Sequence, residues 1–225
     1  MRTSNYIVAA FLIAVAGVTL GLFIAAKRHQ KKQEPMNLQT YMLPELSVVV
    51  AMGDADFIIT QGENNYWTQP YKDDKIFLED WYQVSGDTLF VLSTPNPQPT
   101  LIVADLPKIM ARDSSRVSIR GTCLGDLFID ADRAKININN SSQETREYLG
   151  GLNIWIRLTG ESSVQLNNVD ADLIDIVADN GSVRMYNGQI GTIVAELSNN
   201  SLLRIPKVAK KIAVEKDESS TFTAY

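Results

Sequence analysis

The chain has one cysteine, Cys123, and one histidine, His29, in 225 residues. A single thiol excludes a disulfide framework. His29 sits in the basic run KRHQKK at 27–32, ahead of everything that reads as a folded domain. A Ser/His triad, a Cys/His dyad or a histidine metal site in that domain is therefore excluded by inventory. Basic patches interleaved with aromatics are also missing. Residues 1–36 hold 5 of the 21 basic and 1 of the 26 acidic side chains, so the remainder carries 16 against 25, a net charge of −9. Such a surface repels a polyphosphate, and nucleic acid is not an expected partner. Helical periodicity is lacking too: the apolar runs after residue 36 are short and alternate with period two.

A repeat is what the chain has instead. The runs RVSI, KINI, SVQL, SVRM, LLRI and TFTA place Val117, Ile136, Val164, Val183, Leu203 and Phe222 at intervals of 19, 28, 19, 20 and 19 residues. A second series, Ile154, Ile174, Ile193 and Ile212, steps by 20, 19 and 19. Between them lie turn clusters such as DNG, YNG and SNN. One unit of this size cannot bury its own apolar face, so a fixed period implies stacking of successive units into a shared core. The expectation is an all-β chain, a parallel β-helix (solenoid) with rungs of about nineteen residues, right-handed by the default for parallel crossovers. The long interval contains NNSSQETREYLGG, read as a loop inserted between rungs.

Residues 6–26, YIVAAFLIAVAGVTLGLFIAA, are 21 residues without a charge. They suffice for a helix of about 31 Å, one bilayer crossing. Cleavage after the A-x-A formed by Ala14 and Ala16 would leave an apolar stub, which favours an uncleaved anchor. Gly17 and Gly21 form a G-x-x-x-G match on one face, a candidate surface for helix association and homo-oligomer formation. The organisation expected is a tail at 1–5, a transmembrane helix at 6–26 and a basic juxtamembrane tether at 27–45. N-terminal strands that cap the solenoid follow at 46–106, and the repeats at 107–225.

Composition singles out residues 66–82. Tyr66, Trp67, Tyr71, Trp81 and Tyr82 stand there with Phe77 among Asn, Gln, Lys and Asp, and are the candidate contacts for a glycan or protein ligand. Covering the open end of the solenoid is the other use for these rings. Paired carboxylates occur as DAD at 54–56, 130–132 and 170–172. They do not occupy equivalent positions in the repeat, so they read as turn residues rather than as a shared acid or metal column. No catalytic, cofactor-binding or metal-binding residue is expected.

The succession DFIITQGENN, VSGDTLFVLS, PTLIVADLPKIMARDSSRVSIRG and then the rungs resembles the family named "putative auto-transporter adhesin head GIN domain". The resemblance spans 46–225, and the rungs depart from that family's Gly-Ser-Gly-Asp pattern. It implies a right-handed β-helix behind an export signal or anchor, in exported proteins of Bacteroidetes-type bacteria, and brings no catalytic residues. The function it implies is a membrane-tethered binding module of the cell envelope facing the periplasm. The four basic residues of KRHQKK argue instead for a cytoplasmic domain. That would suit a scaffold resembling bactofilins, with the uncapped STFTAY end available for rung-on-rung polymerisation. A polysaccharide-cleaving β-helix enzyme is the third reading, and it lacks grouped acids and bases.

Overall fold

The computed structural model describes residues 37–71, 81–94, 96–121, 125–140, 152–207 and 209–225. The apolar segment 6–26, with Gly17 and Gly21, lies outside the described residues. Among those described, no helix is long and apolar enough to cross a membrane.

Nineteen strands make up the described chain. The first seven are β1 (Asn37–Met42), β2 (Val48–Ala51), β3 (Asp56–Gln61), β4 (Tyr66–Tyr71), β5 (Tyr82–Ser85), β6 (Thr88–Val91) and β7 (Thr100–Val103). Next come β8 (Lys108–Arg112), β9 (Arg116–Arg120), β10 (Leu127–Asp132), β11 (Lys135–Asn139), β12 (Asn153–Thr159) and β13 (Ser163–Asn167). The last six are β14 (Ala171–Asp179), β15 (Ser182–Tyr186), β16 (Ile190–Ser198), β17 (Leu202–Ile205), β18 (Ala209–Lys216) and β19 (Thr221–Ala224).

From β10 onward even strands add to one sheet and odd strands to the other, each pairing in parallel with the strand one unit earlier. The registers run through the apolar columns read from the sequence. Val117 pairs with Ile136, Ile136 with Val164, Val164 with Val183, Val183 with Leu203, and Leu203 with Phe222. Ile154, Ile174, Ile193 and Ile212 succeed one another in the same way. The stretch around 141–151 interrupts the count without shifting the register, since Leu127 pairs with Ile154 across it. Alternation does the sorting: β14 reads buried at Ile174, Ile176 and Ala178 and outward at the residues between.

The corner between the two strands of a unit explains the Asp, Asn and Ser clusters. Ser114, Arg133, Glu161, Asn180 and Asn200 all have positive φ, between 41° and 65°. Each is followed by a small, buried residue: Ser115, Ala134, Ser162, Gly181 and Ser201. The left-handed corner turns the chain inward, where only a small side chain fits. At Gly181 a Cβ would stand 2.6 Å from Leu158 Cβ. Two of the serines also serve their neighbours' backbones. Ser162 Oγ accepts from Ala134 N at 3.2 Å, and Ser201 Oγ accepts from Gly181 N at 3.1 Å while donating to a carbonyl behind it. A buried amide left unpaired is costly, so the Ser162 and Ser201 hydroxyls stabilise the corners they fill. On β18 and β19 the same corner is held by Asp217, whose carboxylate accepts from Asn199 N and Ser220 N, each at 2.8 Å. Hydrogen bonding, from the Ser220 side chain foremost and then from the Asn199 amide, lowers its pKa to about 2.

The N-terminal strands do not stack in chain order. In one sheet β3 lies between β7 and β9; in the other β2 lies between β6 and β8. The β2–β3 unit is thus inserted between two units that follow it in sequence, with parallel registers on both sides. Beyond β6 and β7 the pairing turns antiparallel: β4 lies on β7 and β5 on β6. These strands satisfy backbone groups that a parallel unit leaves open at its end. The other end is blunted differently. Ala131, Leu158, Ala178 and Leu197 form one buried register column, and its next position, on β18, is Lys216, which is exposed. An inward-register lysine interrupts the apolar column at that edge.

Candidate functional site

The aromatics singled out by composition are divided by the fold. Trp67, on β4, is fully buried with its ring centroid 5.8 Å from Phe57 and 5.3 Å from Tyr82. Its Nε1–H donates to Gln69 Oε1 at 3.2 Å. This indole presents no surface to a ligand; it fills the space under the antiparallel strands. Tyr82, on β5, is half-buried against it, and burial, reinforced by the neighbouring Tyr41, pushes its phenol pKa up. Tyr66 and Trp81 are partly exposed. The Trp81 carbonyl accepts from Leu92 N at 2.8 Å, which ties the start of β5 to the end of β6. Tyr71 ends β4, and its side chain lies outside the described residues.

The structure brings forward two aromatics that composition passes over. Phe128 on β10 and Trp155 on β12 are register partners on the outward face of the nine-stranded sheet. Their rings stack with centroids 4.4 Å apart and planes within 5°. Phe128 remains 44% exposed, the condition of a ring held by one neighbour and wetted on its other sides. The alternation signal for them is present in the chain. In LNIWI, Ile154 and Ile156 are core positions, so Trp155 between them must point out.

The pair forms one wall of an open depression of about 290 Å³, bordered also by Lys108, Asp130, Arg157 and Asp175. Asp130 is engaged by Arg112, whose Nη1 lies 3.0 Å from Asp130 Oδ1 and also donates to the Asp130 carbonyl at 3.1 Å. Lys108 and Arg157 have no ion-pair partner among the described residues. The arrangement joins a stacked aromatic wall to free cations and carboxylates, a composition suited to holding a ligand by ring contact and hydrogen bonding.

Nothing in this arrangement resembles a reaction centre. Asp56 accepts from Gln98, Asp170 accepts from Gln189 N at 2.6 Å, and Asp132 lies 3.8 Å from Arg133, so members of all three DAD pairs have separate local contacts. Among the described residues there is no group of three or more His, Cys, Asp or Glu side chains that could hold a metal ion. The chain's only histidine, His29, lies outside the described residues.

The fold and its outward groove define a class: an all-β parallel solenoid with an open depression on one sheet. No family model matches the chain, and no curated protein does. Three solved structures, each described as a "putative adhesin", are similar to it. The protein from Bacteroides fragilis NCTC 9343 is 13% identical, with 86% of this chain and 98% of that chain covered and a TM-score of 0.48. That from Parabacteroides distasonis ATCC 8503 is 12% identical over 85% and 97%, with a TM-score of 0.48. That from Parabacteroides merdae ATCC 43184 is 10% identical over 86% and 97%, with a TM-score of 0.44.

Proposed function

We propose that the protein is an exported, membrane-tethered binding module of the bacterial cell envelope, adhesin-like in its use, held to the bilayer by residues 6–26. The observation that carries this reading is the Phe128–Trp155 stack, two large rings on a surface that the repeat needs only to be polar. Exposed aromatics beside unpaired charges are the groups that binding surfaces concentrate. Tyr66, Trp81 and Tyr82, about the antiparallel strands, are a second place where a ligand or protein partner could rest. Lys216 at an inward position favours a discrete module over a cytoplasmic filament grown rung on rung.

The groove has its own optical reporter. Trp67 is buried, so a ligand entering the depression acts on Trp155 first. Titrating the full-length protein in detergent with a broad glycan panel is expected to shift tryptophan emission for at least one member, and Trp155→Phe is expected to abolish the shift. No change across the panel, or the same change in Trp155→Phe, contradicts the assignment of the groove.

A further inference from the structure

The ten-stranded sheet, which holds β9 and β19, contains five basic side chains, Arg116, Arg120, Lys135, Arg184 and Arg204, and one acidic side chain, Asp56. The chain from residue 37 onward carries 25 acids against 16 bases, so this sheet inverts the charge balance of the domain that contains it. All five cations alternate with buried core residues and therefore stand on the outward face. We infer that this face is a binding site for an anionic polysaccharide, one whose carboxylate or sulfate groups are spaced along a hydroxyl-rich chain.

Register supplies the first argument. Arg184 lies directly beside Arg204, and Arg116 lies between Lys135 on one side and Asp56 on the other. Like charges on neighbouring strands, about 4.8 Å apart, destabilise a sheet. None of the five has an ion-pair partner among the described residues. Asp56 offsets part of the repulsion at Arg116, whereas the Arg184–Arg204 pair has no acid in register beside it, and an anion lying over that pair removes a repulsion that a fold-only role does not.

The groups between the cations specify the rest of the ligand. Ser118, Asn137, Gln165, Arg184 and Arg204 form one register column crossing five strands, a track about 19 Å long. Asn139 and Asn167 stand alongside it, next to Arg120 and Tyr186 respectively. Asn167 Nδ2 donates to Asn137 Oδ1 at 2.9 Å, so two of these amides are already oriented across the strands. Two buried polar atoms on the face lack a partner among the described residues: Arg184 Nε, a donor, and Asn139 Oδ1, an acceptor. A hydroxyl can serve either, since it both donates and accepts. Guanidinium forks match carboxylates or sulfates in the bidentate manner. The half-exposed Tyr186 ring at the track's side offers a stacking surface. The domain's net charge of −9 disfavours a polyphosphate at long range, so a sparsely charged, hydroxylated polymer fits better than nucleic acid.

The face is separate from the Phe128–Trp155 groove, and the inference rests on the binding-module reading only in taking the chain's surface as its working part. The test uses the full-length protein in detergent with polygalacturonate, neutral dextran and duplex DNA as probes. KRHQKK is present in every variant, so differences between variants are what is read. Polygalacturonate is expected to bind, to weaken as salt rises, and to lose at least tenfold in affinity in the double variant Arg184→Gln/Arg204→Gln. Arg116→Gln/Lys135→Gln is expected to show a loss of the same sign, Lys211→Gln, an exposed cation on β18 of the other sheet, to show none, and dextran not to bind. Matching thermal unfolding curves exclude misfolding of either double variant. Equal polygalacturonate affinity in wild type and both double variants, or tighter binding of DNA than of polygalacturonate, overturns the inference. If that happens while Trp155 still responds to the glycan panel, the binding-module reading stands without this site.

Discussion

Gly188→Ala is expected to destabilise the protein by about 3–5 kcal/mol, the sum of backbone strain and steric overlap. Gly188 has φ +110°, outside the range an alanine adopts without strain, and a Cβ built on it would sit 2.0 Å from the carbonyl oxygen of Val169. That oxygen belongs to the backbone of the unit below and cannot turn aside as a side chain would. The corner stacks there tightly: Asn168 N donates to the Tyr186 carbonyl, and Ala171 N to that of Gln189, each at 2.9 Å. Gly86→Ala is the control. Gly86 also has positive φ, +61°, but nothing lies within 4 Å of its built Cβ, so only the conformational cost of about 1 kcal/mol applies. Urea unfolding followed by circular dichroism separates the two. Equal midpoints for the two variants would mean that the corners do not stack as closely as described.

Ile176→Asp is expected to prevent folding, whereas Val177→Asp, one residue along, is expected to change stability by less than about 0.5 kcal/mol. Ile176 is fully buried on β14, between Ile156 and Ala195 in register. A carboxylate there is unpaired in an apolar column, and whether it stays charged or takes a proton the cost is several kcal/mol, about 4 or more. Val177 faces outward and is 39% exposed, beside Arg157 and Glu196, whose opposite charges largely offset one another for a new carboxylate. The contrast reads the strand's period of two directly. Soluble, folded Ile176→Asp with disrupted Val177→Asp would mean that the inward and outward faces are assigned backwards.

The two apolar series were legible because each inward position repeats in both residue type and spacing, and the turn clusters between them are of the kind that left-handed corners select. Val117 through Phe222 is thus a register column that arithmetic alone finds. The insertion of β2 and β3 between later units was not legible. Strands as short as VVVA and DFIITQ carry alternation but no repeat, and pairing over such sequence separations leaves no local trace. Aromatic density drew attention to residues 66–82, yet the same density is what a buried end requires, and Trp67 lies inside it. Phe128 and Trp155 were available from alternation but not from composition, since each is a lone aromatic within its strand. The basic face is a stronger case of the same kind. Its cations are scattered from 116 to 204 in a chain with excess acid, and they converge only when the second run of every unit is assigned to one sheet.

Whether the domain is exported decides what its surfaces can meet, so membrane topology is the measurement closest to the centre of this account. A reporter active only outside the cytoplasm and a complementary cytoplasmic reporter, each fused after Tyr225 of the full-length chain, answer it in one pair of strains. Activity of the outer reporter with silence of the inner one is the result the exported binding module predicts, despite the four basic residues of KRHQKK. Activity of the cytoplasmic reporter alone would contradict it and make assembly beneath the membrane the function to explain.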